Sequence, residues 1–246
     1  MISFSAEQRF VVTGASSGIG ESVALLLNRL GATIIGVGRN RENLASMKSK
    51  AAFPENIFLE QTDLTQDIAG LPAYVKSLKE KYGKFQGLAY CAGITQNIPL
   101  KILDFNASRK LFDIDYFAPV YMAKGMADKR NNAGSGTSMV FISSAGAVCC
   151  ARAMSDYSGA KAALCASVKA IARELAPYGI RANCILPSDI ETPMTLADPD
   201  LLASKRDRYP MGFGRAEDVA NMTAFLLSDK AKWITGQNYI IDCGSF

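Results

Sequence analysis

Tyr157 and Lys161 stand four residues apart at the head of a stretch, 157–176, with helical apolar spacing, so a phenol and an ammonium share one helix face. A phenol titrates near about pH 10, and a neighbouring positive charge favours its ionised form, which draws it toward a working acid–base range. Ser143-Ser144 ends the apolar run Ser138-Met139-Val140-Phe141-Ile142, where a hydroxyl can polarise a carbonyl. Histidine is absent, which removes Ser-His-Asp triads, Cys–His pairs and imidazole metal sites. Acid–base chemistry therefore falls to Tyr, Lys, Asp or Glu. The six cysteines (Cys91, Cys149, Cys150, Cys165, Cys184, Cys243) form no C-x-x-C pair and read as reduced thiols, with neither a disulfide nor a metal site expected.

Positioning those groups requires a scaffold, and its organising stretch is Thr13-Gly14-Ala15-Ser16-Ser17-Gly18-Ile19-Gly20. The β-rich segment Arg9-Phe10-Val11-Val12 precedes it, and Val23, Ala24, Leu27 and Leu30 follow at helical spacing. A glycine-rich turn between strand and helix offers close backbone approach and free N–H groups to an anion such as a dinucleotide pyrophosphate.

The alternation continues along the chain. Ala32-Thr33-Ile34-Ile35-Gly36-Val37 predicts a second strand, 42–50 a helix, and Ile57-Phe58-Leu59-Glu60 a third strand ending at Asp63. A helix over 68–82, a strand over 87–91, one long helix over 107–129 and the strand at 138–142 follow. Beyond the helix at 157–176 come a strand at 181–186, a helix at 216–227 and a last strand at 239–242. About seven apolar strands separated by helices imply an α/β doubly wound Rossmann domain, with a parallel sheet covered on both faces. Residues 131–136 read as a surface loop, and 187–210 as a candidate substrate lid. No linker or repeat divides residues 1–246, so one domain is expected.

At 246 residues, with 49% hydrophobic and 20% charged residues, the composition is that of an ordered globular chain. A net charge of +4 without like-charge blocks points away from nucleic acid and anionic membrane. The N-terminus lacks a signal-peptide pattern and no apolar run is long enough to span a bilayer, so a cytoplasmic location is expected.

In such a sheet ligands sit beyond the strands' carboxyl ends. Gly38-Arg39 follows the second strand: no acid repels a ribose 2′-phosphate, and Arg39 either attracts one or is a solvated surface charge. Asp63 either bonds an adenine or caps the next helix.

Together these motifs resemble the short-chain dehydrogenase/reductase family over residues 9–242, in overall type nearest to 3-oxoacyl-carrier-protein reductases. Residues 13–20 resemble the family's cofactor turn, Tyr90-Cys91-Ala92-Gly93 its Asn-Asn-Ala-Gly stretch, and Tyr157 with Lys161 its catalytic pair. Ser144, thirteen positions before Tyr157, suits the catalytic serine better than Ser143 does. The resemblance implies that Tyr157 donates a proton to a carbonyl oxygen held by Ser144, while Lys161 binds the nicotinamide ribose. It further implies an NADP(H) site formed by Gly14, Ser16, Ser17, Gly18, Ile19, Gly20, Arg39, Asp63, Ala92, Gly93, Tyr157, Lys161, Pro187, Ile190 and Thr192, and a homotetramer.

Three positions depart from the family pattern: Tyr90-Cys91 replaces two asparagines, Pro187-Ser188 replaces Pro-Gly, and Asp115 replaces the tetrad asparagine. The expected activity is interconversion of a small-molecule ketone and its secondary alcohol; the alternative is a non-catalytic NADP(H)-binding sensor or assembly subunit. Cys149, Cys150, Ala151, Arg152, Ala153 and Met154 are expected to line the substrate pocket, with Arg152 either meeting an anion or solvated. An ionised Asp115 near Lys161 would offset the lysine's field at Tyr157; pointing away or protonated, it would not.

Overall fold

A computed structural model describes residues 1–197 and 203–245. Among these, seven strands form one parallel sheet: β1 (Arg9–Thr13), β2 (Thr33–Gly38), β3 (Ile57–Gln61), β4 (Gly87–Tyr90), β5 (Ser138–Ile142), β6 (Arg181–Pro187) and, after two short strands, β9 (Asn238–Ile241). The spatial order is β3-β2-β1-β4-β5-β6-β9, so the chain winds outward from β1 to one side and then, from β4, to the other. The reversal between β1 and β4 opens a crevice at their carboxyl ends.

Strand alternation explains the two cores. Val11, Met139 and Phe141 point to a cluster shared with α3 (Leu71–Tyr82), α5 (Ala118–Ala127) and α7 (Ser155–Leu175). Their neighbours Phe10, Val12 and Val140 point to the opposite cluster, with α1 (Gly18–Arg29), α2 (Arg41–Ser49) and α9 (Ala216–Leu227). The strands inside the sheet are buried on both faces, which is why they read as continuous apolar runs, whereas the edge strands β3 and β9 are partly exposed.

The expected helix over 107–129 is not one helix. It consists of α4 (Phe105–Phe112), a π-turn (Asp113–Phe117) and α5. The cause is Pro119, which lacks an N–H and whose ring would clash with the carbonyl of Asp115, four residues earlier. Widening the turn lets the Ala118 N–H reach the Asp113 carbonyl. The carbonyl of Ile114 then faces a proline where its donor would be, and the Tyr90 hydroxyl supplies the missing bond at 3.0 Å. Burial, reinforced by the Asp115 charge, holds the Tyr90 phenol well above its ordinary range, so it remains a donor.

The loop at 131–136 is also more than surface. Asn131 and Asn132 are buried, and their side-chain amides donate to the carbonyls of Gly125 and Met126, satisfying the end of α5. Of the segment 187–210, residues 198–202 lie outside the described residues. The remainder contains the end of β6, β7 (Ile190–Glu191) and α8 (Pro193–Leu196), and β7 pairs with β8 (Gly214–Arg215). Among the described residues no helix is long and apolar enough to cross a membrane.

Candidate active site

Two adjoining clefts open at the carboxyl edge of the sheet. The larger, about 600 Å³, is lined by Gly14, Ser16, Ser17, Gly18, Ile19 and Gly20, and beyond them by Arg39, Asp63, Ala92, Gly93 and Thr192. Helix α1 begins at Gly18 and Ser17 makes no side-chain cap, so the first-turn amides keep their donors for an anion. Gly14 has φ +67°, and a Cβ there would come 2.9 Å from the Ala92 nitrogen, so the turn packs against β4 only as glycine. Thr13 ties the same strand ends together, its Oγ1 accepting from the N–H groups of Cys91 at 3.1 Å and Ala92 at 3.2 Å.

This donor set fits a dinucleotide. At the adenosine end Arg39 is exposed and Gly38 precedes it; among the described lining residues Asp63 is the one acid. Asp63 does not cap the next helix, α3, whose N-cap is Gly70. It closes a local turn, its Oδ1 accepting from the Thr65 backbone N–H at 2.9 Å and the Thr65 hydroxyl at 2.7 Å, and these bonds hold its carboxyl below the usual range. Asn43 and Lys110 line the cleft as well, although nothing in their spacing marks them, because they arrive from helices beside it.

The smaller cavity, about 240 Å³, is lined by Ser144, Tyr157, Lys161, Pro187, Ile190 and Thr192 among others. Ser144 and Tyr157 converge: a Cβ placed on Gly146 would lie 3.2 Å from Ser144 Oγ and 3.4 Å from Tyr157 Cε1. Ser143 is used otherwise. It is buried, donates to the Lys161 carbonyl at 3.0 Å and accepts from the Cys165 thiol at 3.2 Å. Of the six residues expected on the pocket wall, Cys149, Ala151 and Met154 line it, whereas Cys150, Arg152 and Ala153 do not. The turn after α6 (Gly146–Cys149) explains this: Cys150 is left-handed at φ 50° and Ala153 at φ 62°, and these reversals leave Ala151 on the cavity while Cys150, Arg152 and Ala153 lie off it.

Asp115 lines neither cleft and stands behind them. Its Oδ1 is 2.9 Å from Lys161 Nζ, with side-chain exposures of 0% and 6%. The same oxygen accepts from the Ile94 N–H at 3.4 Å, while Lys161 Nζ donates to the Ile142 carbonyl at 3.2 Å and lies 5.9 Å from the Tyr157 ring centre. A Cβ on Gly93 would sit 2.5 Å from Asp115 Oδ1 and 3.3 Å from Lys161 Nζ, so the pair forms only beside glycine. Burial pushes the Asp115 carboxyl up, against the pull of Lys161. Burial would push the Lys161 ammonium down, but Asp115 and Tyr157 outweigh it and the net direction is up. The ammonium is thus held charged.

A family model described as Enoyl-(Acyl carrier protein) reductase matches residues 14–245. The chain is 33% identical to a 3-oxoacyl-acyl-carrier-protein reductase of Thermotoga maritima, over 95% of this chain and 96% of that one. It is 30% identical to a D-erythrulose reductase of Gallus gallus, over 96% and 95% of the two chains. A crystal structure described as a short chain dehydrogenase from Burkholderia cenocepacia in complex with NADP superposes with a TM-score of 0.89 at 27% identity, covering 97% of this chain and 98% of that one.

Proposed function

The chain belongs to the short-chain dehydrogenase/reductase family, and from that premise we propose that it is an NADP(H)-dependent oxidoreductase that interconverts a ketone and its secondary alcohol. The observation that carries this reading is that Ser144 and Tyr157 line one cavity beside the cofactor cleft, with Ser144 Oγ and the Tyr157 ring edge both flanking Gly146. Bound in the larger cleft, the dinucleotide supplies or accepts a hydride. The chain's own residues do the rest. Ser144 holds the substrate oxygen by a hydrogen bond, Tyr157 Oη gives that oxygen a proton, and Lys161, fixed by Asp115 and the Ile142 carbonyl, keeps a positive charge near the phenol.

The choice of NADP(H) over NAD(H) rests on Arg39, exposed on the cleft with Gly38 in place of an acid. The relative complexed with NADP is consistent with it. The same reading takes the protein as a cytoplasmic homotetramer, for which exposed Leu100, Ile102 and Phe105 offer apolar surface to a second copy.

The test follows cofactor oxidation with a panel of 3-oxoacyl thioesters, quinones and keto-sugars. Wild type is expected to consume NADPH in preference to NADH with at least one of them. Tyr157→Phe is expected to abolish turnover while binding NADPH as wild type does, and Arg39→Ala to lose the preference for NADPH. Turnover retained in Tyr157→Phe, or a coenzyme preference unchanged in Arg39→Ala, overturns the corresponding assignment; a chain that binds NADPH but reduces nothing is the sensor or assembly subunit instead.

A further inference from the structure

The smaller cavity has three zones. Ser144 and Tyr157 form its polar floor, Ile94, Ala151, Met154 and Met194 an apolar wall, and Lys205, Arg208 and Tyr209 reach its mouth from the segment after α8. The mouth is where charge is left over. Lys205 Nζ lies 3.1 Å from Asp189 Oδ1, so these two neutralise each other. Tyr209, 7% exposed, donates to Asp189 Oδ2 at 2.7 Å and hydrogen bonds with Ser188 Oγ at 2.8 Å. Serine at the family's Pro-Gly position thus helps anchor the residue next to Arg208. Arg208 is exposed; its backbone N–H donates to the Lys205 carbonyl at 3.0 Å, but its guanidinium has neither a hydrogen bond nor an ion pair among the described residues. A guanidinium is charged at every working pH and presents a donor fork suited to a carboxylate or phosphate. An apolar wall between a carbonyl-binding floor and an unpaired cation selects for a particular molecule.

Building on the carbonyl reading above, we propose that Arg208 is a specificity-determining residue, and that the substrate is a small ketone carrying a carboxylate or phosphate at its far end, across an apolar spacer. The floor holds the oxygen, the wall covers the spacer, and Arg208 pairs with the anion. A cavity of about 240 Å³ limits the spacer to a short chain.

The test uses the full chain with NADPH and two matched series: 4-oxopentanoate, 6-oxoheptanoate and 8-oxononanoate against their methyl esters, and ω-phosphorylated ketones of the same lengths. At one length the anion should exceed its ester by about tenfold or more in kcat/KM. Arg208→Ala should remove that advantage through KM, leaving kcat and the ester rates unchanged, and Arg208→Lys should restore part of it. The better series identifies the anion. An equal loss on acid and ester, or an advantage that survives in Arg208→Ala, overturns the proposal. Calorimetry of hexanoate, hexyl phosphate and hexanol with the NADP-loaded protein makes the same decision without turnover. An anion should bind more tightly than hexanol to wild type and lose that margin in Arg208→Ala. Equal binding to both proteins overturns the role of Arg208, whereas failure to reduce any ketone overturns only the carbonyl reading.

Discussion

Two lysine–aspartate pairs flank the candidate site, one behind its floor and one at its mouth. Lys161 and Asp115 are 2.9 Å apart and nearly sealed from solvent; Lys205 and Asp189 are 3.1 Å apart with side chains 31% and 22% exposed. The residue types and distances are alike, and the environment separates them. Behind the floor, each charge exists because the other does, and the lysine's place near Tyr157 is fixed. At the mouth water screens both charges, and the pair's main effect is to leave Arg208 as the unmatched cation. An ion pair positions a group when it is buried and shapes a field when it is not.

Breaking the inner pair tests that contrast most severely. Asp115→Ala leaves the Lys161 ammonium buried with the Ile142 carbonyl as its remaining partner, and a loss of about 3–5 kcal/mol in unfolding free energy is expected. Urea denaturation monitored by circular dichroism measures it; a loss below about 1 kcal/mol, the range of an exposed pair, would erase the distinction.

The turn that carries Asp115 should be nearly as sensitive. Tyr90→Phe removes the donor to the Ile114 carbonyl, which Pro119 leaves without a helical partner, so a cost of about 1–3 kcal/mol is expected by the same denaturation. A neutral result would mean that the π-turn satisfies this carbonyl in another way.

Asp115→Asn is milder because the isosteric amide keeps an acceptor toward Lys161 and removes only charge. With the lysine's field no longer offset at Tyr157, the basic limb of kcat/KM for alcohol oxidation should move to lower pH, by up to about one unit, or about 1.4 kcal/mol. Stability should respond in a definite direction. The Asp115 carboxyl is raised above its ordinary 3.8 by burial, so its favourable contribution is complete below that pH and is lost as pH rises through the folded value. Wild type should therefore lose stability relative to Asp115→Asn as pH climbs above about 4. Coincident pH–rate profiles would show that Asp115 holds Lys161 without tuning Tyr157.

The smallest effect belongs to the outer pair. Asp189→Asn should change unfolding free energy by about 1 kcal/mol or less, and the change should shrink further at high salt. A larger, salt-insensitive loss in the same urea experiment would place the outer pair in the inner pair's class.

The doubly wound sheet was legible in the sequence because its signals are local: apolar β-branched runs, helical spacing between them, and glycines at the first turn. Strand β5 and helix α9 fall where the spacing places them. The glycine turn, Arg39, Ser144, Tyr157 and Lys161 were legible for a related reason, since each lies at a strand end or on the first turns of a helix whose position the alternation predicts. The long helix at 107–129 was misread because apolar spacing persists through it, while the break depends on a proline ring meeting a carbonyl one turn back. Arg152 was misplaced and Arg208 missed for a common reason: which residues of an irregular segment face a cavity depends on its backbone turns and not on periodicity. Those turns are left-handed at Cys150 and Ala153 around Arg152, and a single turn over Arg206–Arg208 in the other segment.

The sequence alone thus determined the order of the seven sheet strands and the residues at their carboxyl ends, because period and turn chemistry are written along the chain. Only the tertiary structure decided that Asp115 faces Lys161, that Tyr90 completes the π-turn, and that Asp63 spends its carboxylate on Thr65. Each of those outcomes joins groups from separate elements or depends on a side-chain direction, and burial then sets what the contact is worth. Spacing carries no record of either.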